Sequence, residues 1–300
     1  MISLLLVPYH LGVERVHMGL GPERILQAGI HRELSARGHD VAIEFTLRPK
    51  RTALTEDTAV IEINKLLARQ VRDALAQQRF PMVLAGNCNA CLGVLAGIAT
   101  MPIGIIWLDA HGDFNTPETS ASGFLDGMSL AMATGLCYRK FWAETGSSPA
   151  SGVQVVHIGG HDFDHGEEER LIKQRICAVS ANQLRQAGLT TALHPALVAL
   201  QSQVHRVYLH VDLDVLDPAE AQANEFAVPG GLSLHQLKCV IQMVGGAFDI
   251  QAATLTAYDP TCDQDKRALS ASLQVIHTIV DIVAHNVCKR ESSSKLNGLP

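Results

Sequence analysis

Short, continuously apolar segments alternate along the chain with longer stretches in which apolar residues recur at helical spacing. The apolar segments at 2–7, 40–45, 82–85, 104–108, 154–158, 176–179, 206–211 and 252–257 are predicted strands. Helices are predicted between them at 23–37, 57–78, 91–99, 128–134, 167–173, 181–187, 192–201, 234–244 and 266–287. Strands that are apolar on both faces and separated by helices call for a mostly parallel sheet covered on each side. With no internal repeat and no linker-like stretch, the pattern predicts one doubly wound α/β domain over residues 1–290. The polar, aperiodic ending ESSSKLNGLP at 291–300 reads as a loose tail. In an open sheet of this kind, chemistry gathers just past the carboxyl ends of the strands.

Composition narrows the picture. The chain is 47% hydrophobic and 18% charged, enough apolar material for a sizeable core, and at 5% aromatic that core must be mainly aliphatic. A formal net charge of -6 offers no basic field, so neither nucleic acid nor an anionic membrane is an expected partner. The opening apolar run at 2–7 has no cationic leader and is too short to span a bilayer. No other stretch reads as reaching membrane length, and a cytoplasmic protein is expected. Seven cysteines, an odd number, then read as reduced thiols rather than a disulfide framework.

Three predicted strands end in polar clusters: AGNCNA at 85–90, LDAHGD at 108–113 and HVDLDVLDP at 210–218. Asp109, His111 and Asp113 alternate after one strand, and Asp212 and Asp214 after another. Residues at i and i+2 of an extended segment point the same way, so each set offers parallel ligands. Carboxylates with an imidazole suit hard or borderline divalent cations, and four carboxylates held together repel one another unless cations bridge them. Aspartates also form turns and caps at strand ends. Two such clusters, one with an embedded histidine, favour metal.

DAHGDFNTPETSASG at 109–123 and DLDVLDP at 212–218 resemble the two metal-binding signatures of the arginase (ureohydrolase) family. The resemblance extends through VLAGNCNACLG at 83–93, IGGHDFDHGE at 158–167 and VPGGLS at 228–233. It implies a three-layer α/β/α sandwich around an eight-stranded sheet and two Mn²⁺ ions per chain. By that similarity Asp109 and Asp212 bridge the ions, Asp113 ligates the first, and His111 and Asp214 ligate the second. The reaction implied is hydrolysis of a guanidine-type C–N bond by water activated at the metals, with Asp113 passing a proton towards the departing amine. The resemblance also implies an amino-acid substrate. Asn115, Ser120 and Ser122 would hold its α-carboxylate and Asp164 its ammonium, with Glu167 and Asp162 nearby. Relatives assemble into trimers or hexamers; here monomer and homo-oligomer stay open.

Three departures from the family pattern bear on the substrate. Cys88 stands where a histidine ligates the first ion. A thiolate is softer and adds negative charge where four carboxylates already balance two divalent ions. Asp126 stands at a shuttle histidine's position, and at an ordinary aspartate pKa it is a poor acid near neutrality. Ala257 aligns with a glutamate that would pair with a guanidinium, and Phe226 replaces a small polar residue opposite. An N-hydroxyguanidine is less basic than a guanidine and is available neutral, without such helpers. The combination resembles the Nω-hydroxy-L-arginine amidinohydrolase branch of D-cycloserine biosynthesis, which implies hydrolysis to hydroxyurea and L-ornithine. Alternatives are an arginase or agmatinase that tolerates the changes, a catalytically degenerate binding protein, and a redox protein using Cys88 and Cys91 as C-x-x-C. The redox reading leaves the aspartate clusters unexplained. His157, His161 and His165 read as packing or supporting residues.

Overall fold

The structure is a computed structural model describing residues 1–46, 55–98 and 102–296, with side chains to residue 287. Ten strands follow in chain order: β1 (Ile2–Val7), β2 (Tyr9–His10), β3 (Val13–Glu14), β4 (Val41–Phe45), β5 (Phe80–Ala85), β6 (Gly104–Leu108), β7 (Val155–Ile158), β8 (Cys177–Val179), β9 (Arg206–Asp212) and β10 (Asp249–Thr256). Eight of them form one sheet in the order β4-β1-β5-β10-β9-β6-β7-β8, and β2 pairs with β3 in a small antiparallel hairpin. Every pairing within the eight-stranded sheet is parallel.

Alternate strand residues feed two separate cores. Leu4, Leu6, Met82, Leu84, Ile106 and Leu108 pack on one face. Leu5, Val7, Val83, Ala85, Ile105 and Trp107 pack on the other. Both faces are covered by helices, which is why these strands read as unbroken apolar runs.

The predicted elements are present, with instructive differences. The helix expected over 23–37 is two, Gly21–Gln27 and Ile30–Ala36, parted at Gly29 with φ +101°. That left-handed angle suits glycine and interrupts the helix. The hairpin and the helix Arg139–Thr145 went unread, because each is too short for a periodic signal. Ala99, the expected end of one helix, lies outside the described residues, as do residues 297–300 of the tail expected over 291–300. The last helix, expected to stop at Val287, continues through Leu296.

The expectation that no stretch reaches membrane length is corrected by this last helix. By length and composition alone, Arg267–Val287 is apolar enough to cross a membrane. Half of that segment is buried inside the protein, with Val275, Ile276, Ile279 and Val280 fully enclosed. It serves as a core helix of the sheet's outer layer.

The helix Cys91–Ile98 lies against the long helix Glu56–Ala76 and fixes the loop that follows β5. Their close approach depends on Gly93. A Cβ there would stand 2.8 Å from both the Asn64 carbonyl oxygen and Leu67 Cβ, while Gly93 N–H already donates to Asn64 Oδ1 at 2.7 Å. Gly93→Ala should therefore destabilise the protein by about 1–3 kcal/mol through overpacking, read as a lower urea midpoint at unchanged slope.

Candidate metal centre

Three neighbouring parts of the sheet converge on the site. After β5 the chain turns through Gly86 and Asn87 into a 3-10 turn, Cys88–Ala90. Asp109 follows β6 directly, and Asp212 closes β9. The Cys88 thiol donates to Asp212 Oδ2 at 2.8 Å, and Asp214 N–H donates to Asp212 Oδ1 at 2.8 Å. Asp109 Oδ1 accepts from the His111 backbone N–H at 2.8 Å, and its Oδ2 accepts from Trp107 Nε1 at 2.9 Å. His111 Nδ1 lies 3.5 Å from both Asp109 Oδ1 and Asp214 Oδ2.

Two sets of donor atoms come together. Those of Asp109, His111 and Asp214 lie within 4.8 Å of one another, and so do those of Cys88, Asp109 and His210. The sets share Asp109. Asp113 and Asp212 line the same cavity but fall outside both sets. Three buried atoms, Asp113 Oδ2, Asp214 Oδ1 and His210 Nε2, have no hydrogen-bond partner. Buried polar atoms are normally paired, so orphaned lone pairs around a shared carboxylate fit a pair of divalent cations.

The electrostatics agree. Burial, followed by the charges of Asp109, Asp126 and Asp212, holds the Asp113 carboxyl well above the usual range. Asp113 also has φ +51°, a left-handed backbone angle that aspartate tolerates better than most residues. Burial works against protonating His111, but Asp214 and Asp109 outweigh it and raise its pKa far above the ordinary histidine value. A cation between these groups would replace that proton. Burial and the carboxylate of Asp212 push the Cys88 thiol well up, and burial does the same to Cys91. Two such thiols are poor nucleophiles for disulfide exchange, and Cys91 donates elsewhere, to the Ser129 carbonyl at 3.6 Å. The redox reading therefore lacks an activated thiol. The six cysteines with described side chains are all free.

Asp126 behaves differently from its expectation. Its Oδ2 accepts from Asn87 Nδ2 at 2.6 Å, and its Oδ1 accepts from the Asn89 backbone N–H at 3.0 Å and from Ser129 Oγ at 3.2 Å. Burial pushes its pKa up to about 6 against these donors. The ordinary aspartate pKa assumed from sequence does not apply. Both oxygens clamp the loop that carries Cys88.

The residues expected to bind substrate line the same cavity of ≈150 Å³, a space on the scale of one small molecule. Ser120 Oγ accepts from Gly123 N–H and Ser122 Oγ from Phe124 N–H, which leaves both hydroxyl protons free to donate. Asn115, expected at the carboxylate, lines this cavity and also has protein partners. Its amide nitrogen donates to Asp164 Oδ2 at 2.7 Å and its oxygen accepts from Arg170 at 2.6 Å, so it orients Asp164. Glu167 accepts from the backbone N–H groups of Phe114 (2.6 Å) and Asp164 (3.0 Å), tying the loops after β6 and β7 together. Met18, Phe124, Phe226 and Ala257 add an apolar wall, with Phe124 and Phe226 rings 5.3 Å apart.

Sequence reading missed four supporting residues. His210 was read as part of a strand, although it belongs to the alternating set His210, Asp212, Asp214. Asn224 donates to Asp214 Oδ2 at 3.2 Å and to the Ala257 carbonyl at 2.8 Å. Trp107 and Arg170 carry no local motif. Of the three other histidines, His157 supports the site through its Nε2, 2.6 Å from the His111 carbonyl oxygen. His161 bridges the carbonyls of Gly159 and Val228, whereas His165 is exposed.

Comparison with known proteins agrees with this architecture. The model of the arginase family matches residues 1–281. An arginase of Brevibacillus brevis is 30% identical over 288 residues, covering 93% of this chain and 97% of the relative. The native arginase structure from Bacillus caldovelox superimposes with a TM-score of 0.85 at 30% identity, covering 93% of this chain and 97% of that one. The arginase structure from Bacillus cereus gives 0.84 at 31% identity, with coverage of 93% and 97%. The chain belongs to the arginase family, the ureohydrolases.

The last aspartate of the second signature is a clean electrostatic probe. Asp217 Oδ2 accepts from Gly230 N–H and Oδ1 from Ala219 N–H, each at 2.8 Å, and these bonds lower its pKa. Its contribution to stability is full above the ordinary aspartate value of 3.8 and is lost as pH falls below that through the depressed folded-state pKa. Asp217→Asn should thus have a lower Tm than the parent near neutrality, and the gap should narrow as pH drops below about 4.

Proposed function

We propose that the protein is a binuclear manganese hydrolase that cleaves Nω-hydroxy-L-arginine to hydroxyurea and L-ornithine in the cytoplasm, with residues 1–290 as the catalytic unit. The observation that carries the metal reading is the pair of donor sets sharing Asp109. Cys88, Asp109, Asp113 and Asp212 would serve one ion, and Asp109, His111, Asp212 and Asp214 the other. When bound, the ions supply Lewis acidity and lower the pKa of the attacking water.

The chain's own groups supply the rest. Ser120 and Ser122 donate to the α-carboxylate, and Asp164, held by Asn115, accepts from the α-ammonium. That choice of anchors favours an α-amino acid over its decarboxylated amine. Asp113, with one buried carboxylate oxygen that has no hydrogen-bond partner, takes a proton from water as the water adds to the guanidine-type carbon. It returns the proton to the ornithine nitrogen as the C–N bond breaks. Asp126 holds the Cys88 loop, and at a pKa of about 6 it is also suited to exchange a proton near neutrality.

The substrate choice rests on the apolar wall of Phe124, Phe226 and Ala257, which favours a neutral hydroxyguanidine over a strongly basic guanidinium. Arginine is the second reading, favoured by relatives that are named arginases. Ornithine release should be compared for the two substrates under identical conditions with Mn²⁺-loaded protein. The expected result is a kcat/KM at least about tenfold higher for hydroxyarginine, or about 1.4 kcal/mol in transition-state stabilisation. Preference for arginine would overturn the substrate and leave the two-metal chemistry intact. Metal analysis of the same sample should find two ions per chain, and chelation should lower Tm, because the ions stabilise the folded state.

A further inference from the structure

His210 is fully buried on β9, and its ring stacks on Trp107 of β6 with centroids 3.6 Å apart. The hydrogen bonds around it determine its tautomer. The Tyr208 hydroxyl donates its proton to Thr254 Oγ1 at 2.7 Å, so towards His210 Nδ1, 2.9 Å away, it can only accept. Nδ1 therefore carries the hydrogen and Nε2 presents a bare lone pair. Nε2 has no hydrogen-bond partner, and a ring nitrogen of His210 lies within 4.8 Å of donor atoms on both Cys88 and Asp109. An imidazole whose far nitrogen is fixed by a hydrogen bond is oriented as metal-binding histidines usually are.

We propose that His210 Nε2 is a metal ligand, joining the Cys88 thiolate and the Asp109 carboxylate in one subsite of the centre. The inference rests on the two-metal reading above. With Asp113 and Asp212 the subsite then carries one sulfur and one nitrogen beside its carboxylate oxygens, a softer set than the carboxylates and single imidazole of the His111 subsite. It accepts borderline cations such as Co²⁺ and Zn²⁺ readily. Trp107 and Tyr208 act as positioning residues, through stacking and through the Nδ1 hydrogen bond.

The test is a Co²⁺ titration of the metal-free full chain, followed by absorption and by NMR of ¹⁵N-histidine-labelled protein. The expected spectrum has a near-ultraviolet thiolate-to-cobalt band that Cys88→Ser abolishes. His210→Phe, which keeps an aromatic face on Trp107, should weaken the ion responsible for that band at least about tenfold, leaving the His111 subsite intact. In the unsubstituted chain, two ligating imidazoles, His111 and His210, should show paramagnetic shifts of the size that direct coordination produces. Should His210→Phe not fold, this NMR count alone decides. Cobalt bound with only His111 coordinated, or a His210→Phe variant with unchanged affinity, overturns the role of His210 and leaves the two-metal reading standing. A chain that binds no cobalt at either subsite overturns both.

Discussion

Mutual repulsion among Asp109, Asp113, Asp212 and Asp214 is the constraint on which the rest of the site depends. All four are buried, and they stand at the ends of adjacent parts of one sheet. No tertiary cation from lysine or arginine is bonded to these carboxylates among the described residues. Hydrogen bonds from Trp107, the backbone and Asn224 hold individual oxygens in place but cannot neutralise the group. Divalent cations would, and a metal held there would belong to the fold's electrostatic balance as well as to the proposed chemistry.

The departures at Cys88 and Asp126 form one physical unit. Asn87 and Asn89, the neighbours of Cys88, both donate to Asp126. Changing the carboxylate would loosen the loop that aims the thiol at Asp212. The loop that carries Cys88 and the residue at 126 are thus linked through hydrogen bonds, and removing the Asp126 carboxylate alone would leave the Asn87 and Asn89 donors unpaired. A ring nitrogen of His210 lies within 4.8 Å of the Cys88 sulfur, so the departure there is accompanied by an imidazole from β9, which β10 separates from β5.

The proposed substrate contacts are distributed differently. The polar anchors sit on loops after β6 and β7, cross-tied by Glu167 and by the Asn115–Asp164 hydrogen bond. The apolar wall comes from loops after β6, β9 and β10, with Ala257 at φ +64° just beyond β10. One set of loops can hold an amino-acid backbone while another selects the group attached to the far end. This division lets members of one fold differ in substrate without rebuilding the metal site.

The sequence by itself determined the sheet and the cluster of carboxylates and imidazole at its carboxyl edge. Strands buried on both faces leave unbroken apolar runs, and polar residues alternating directly after a strand leave a local two-residue pattern at Asp109–Asp113 and Asp212–Asp214. It also marked the boundaries poorly wherever one residue's backbone angle decided them, as at Gly29. Only the tertiary structure decided what Asp126, Asn115 and Glu167 do, because the partners that tie them to other loops lie 37 to 55 residues away and no local pattern encodes them. The same holds for His210. In sequence it is one polar residue in a strand; its tautomer and direction are set by Trp107, Tyr208 and Thr254, and the last of these reaches it only through pairing of β9 with β10. Local patterns record which residues share a face, whereas the partners of a buried polar atom follow from strand order, which long-range packing decides.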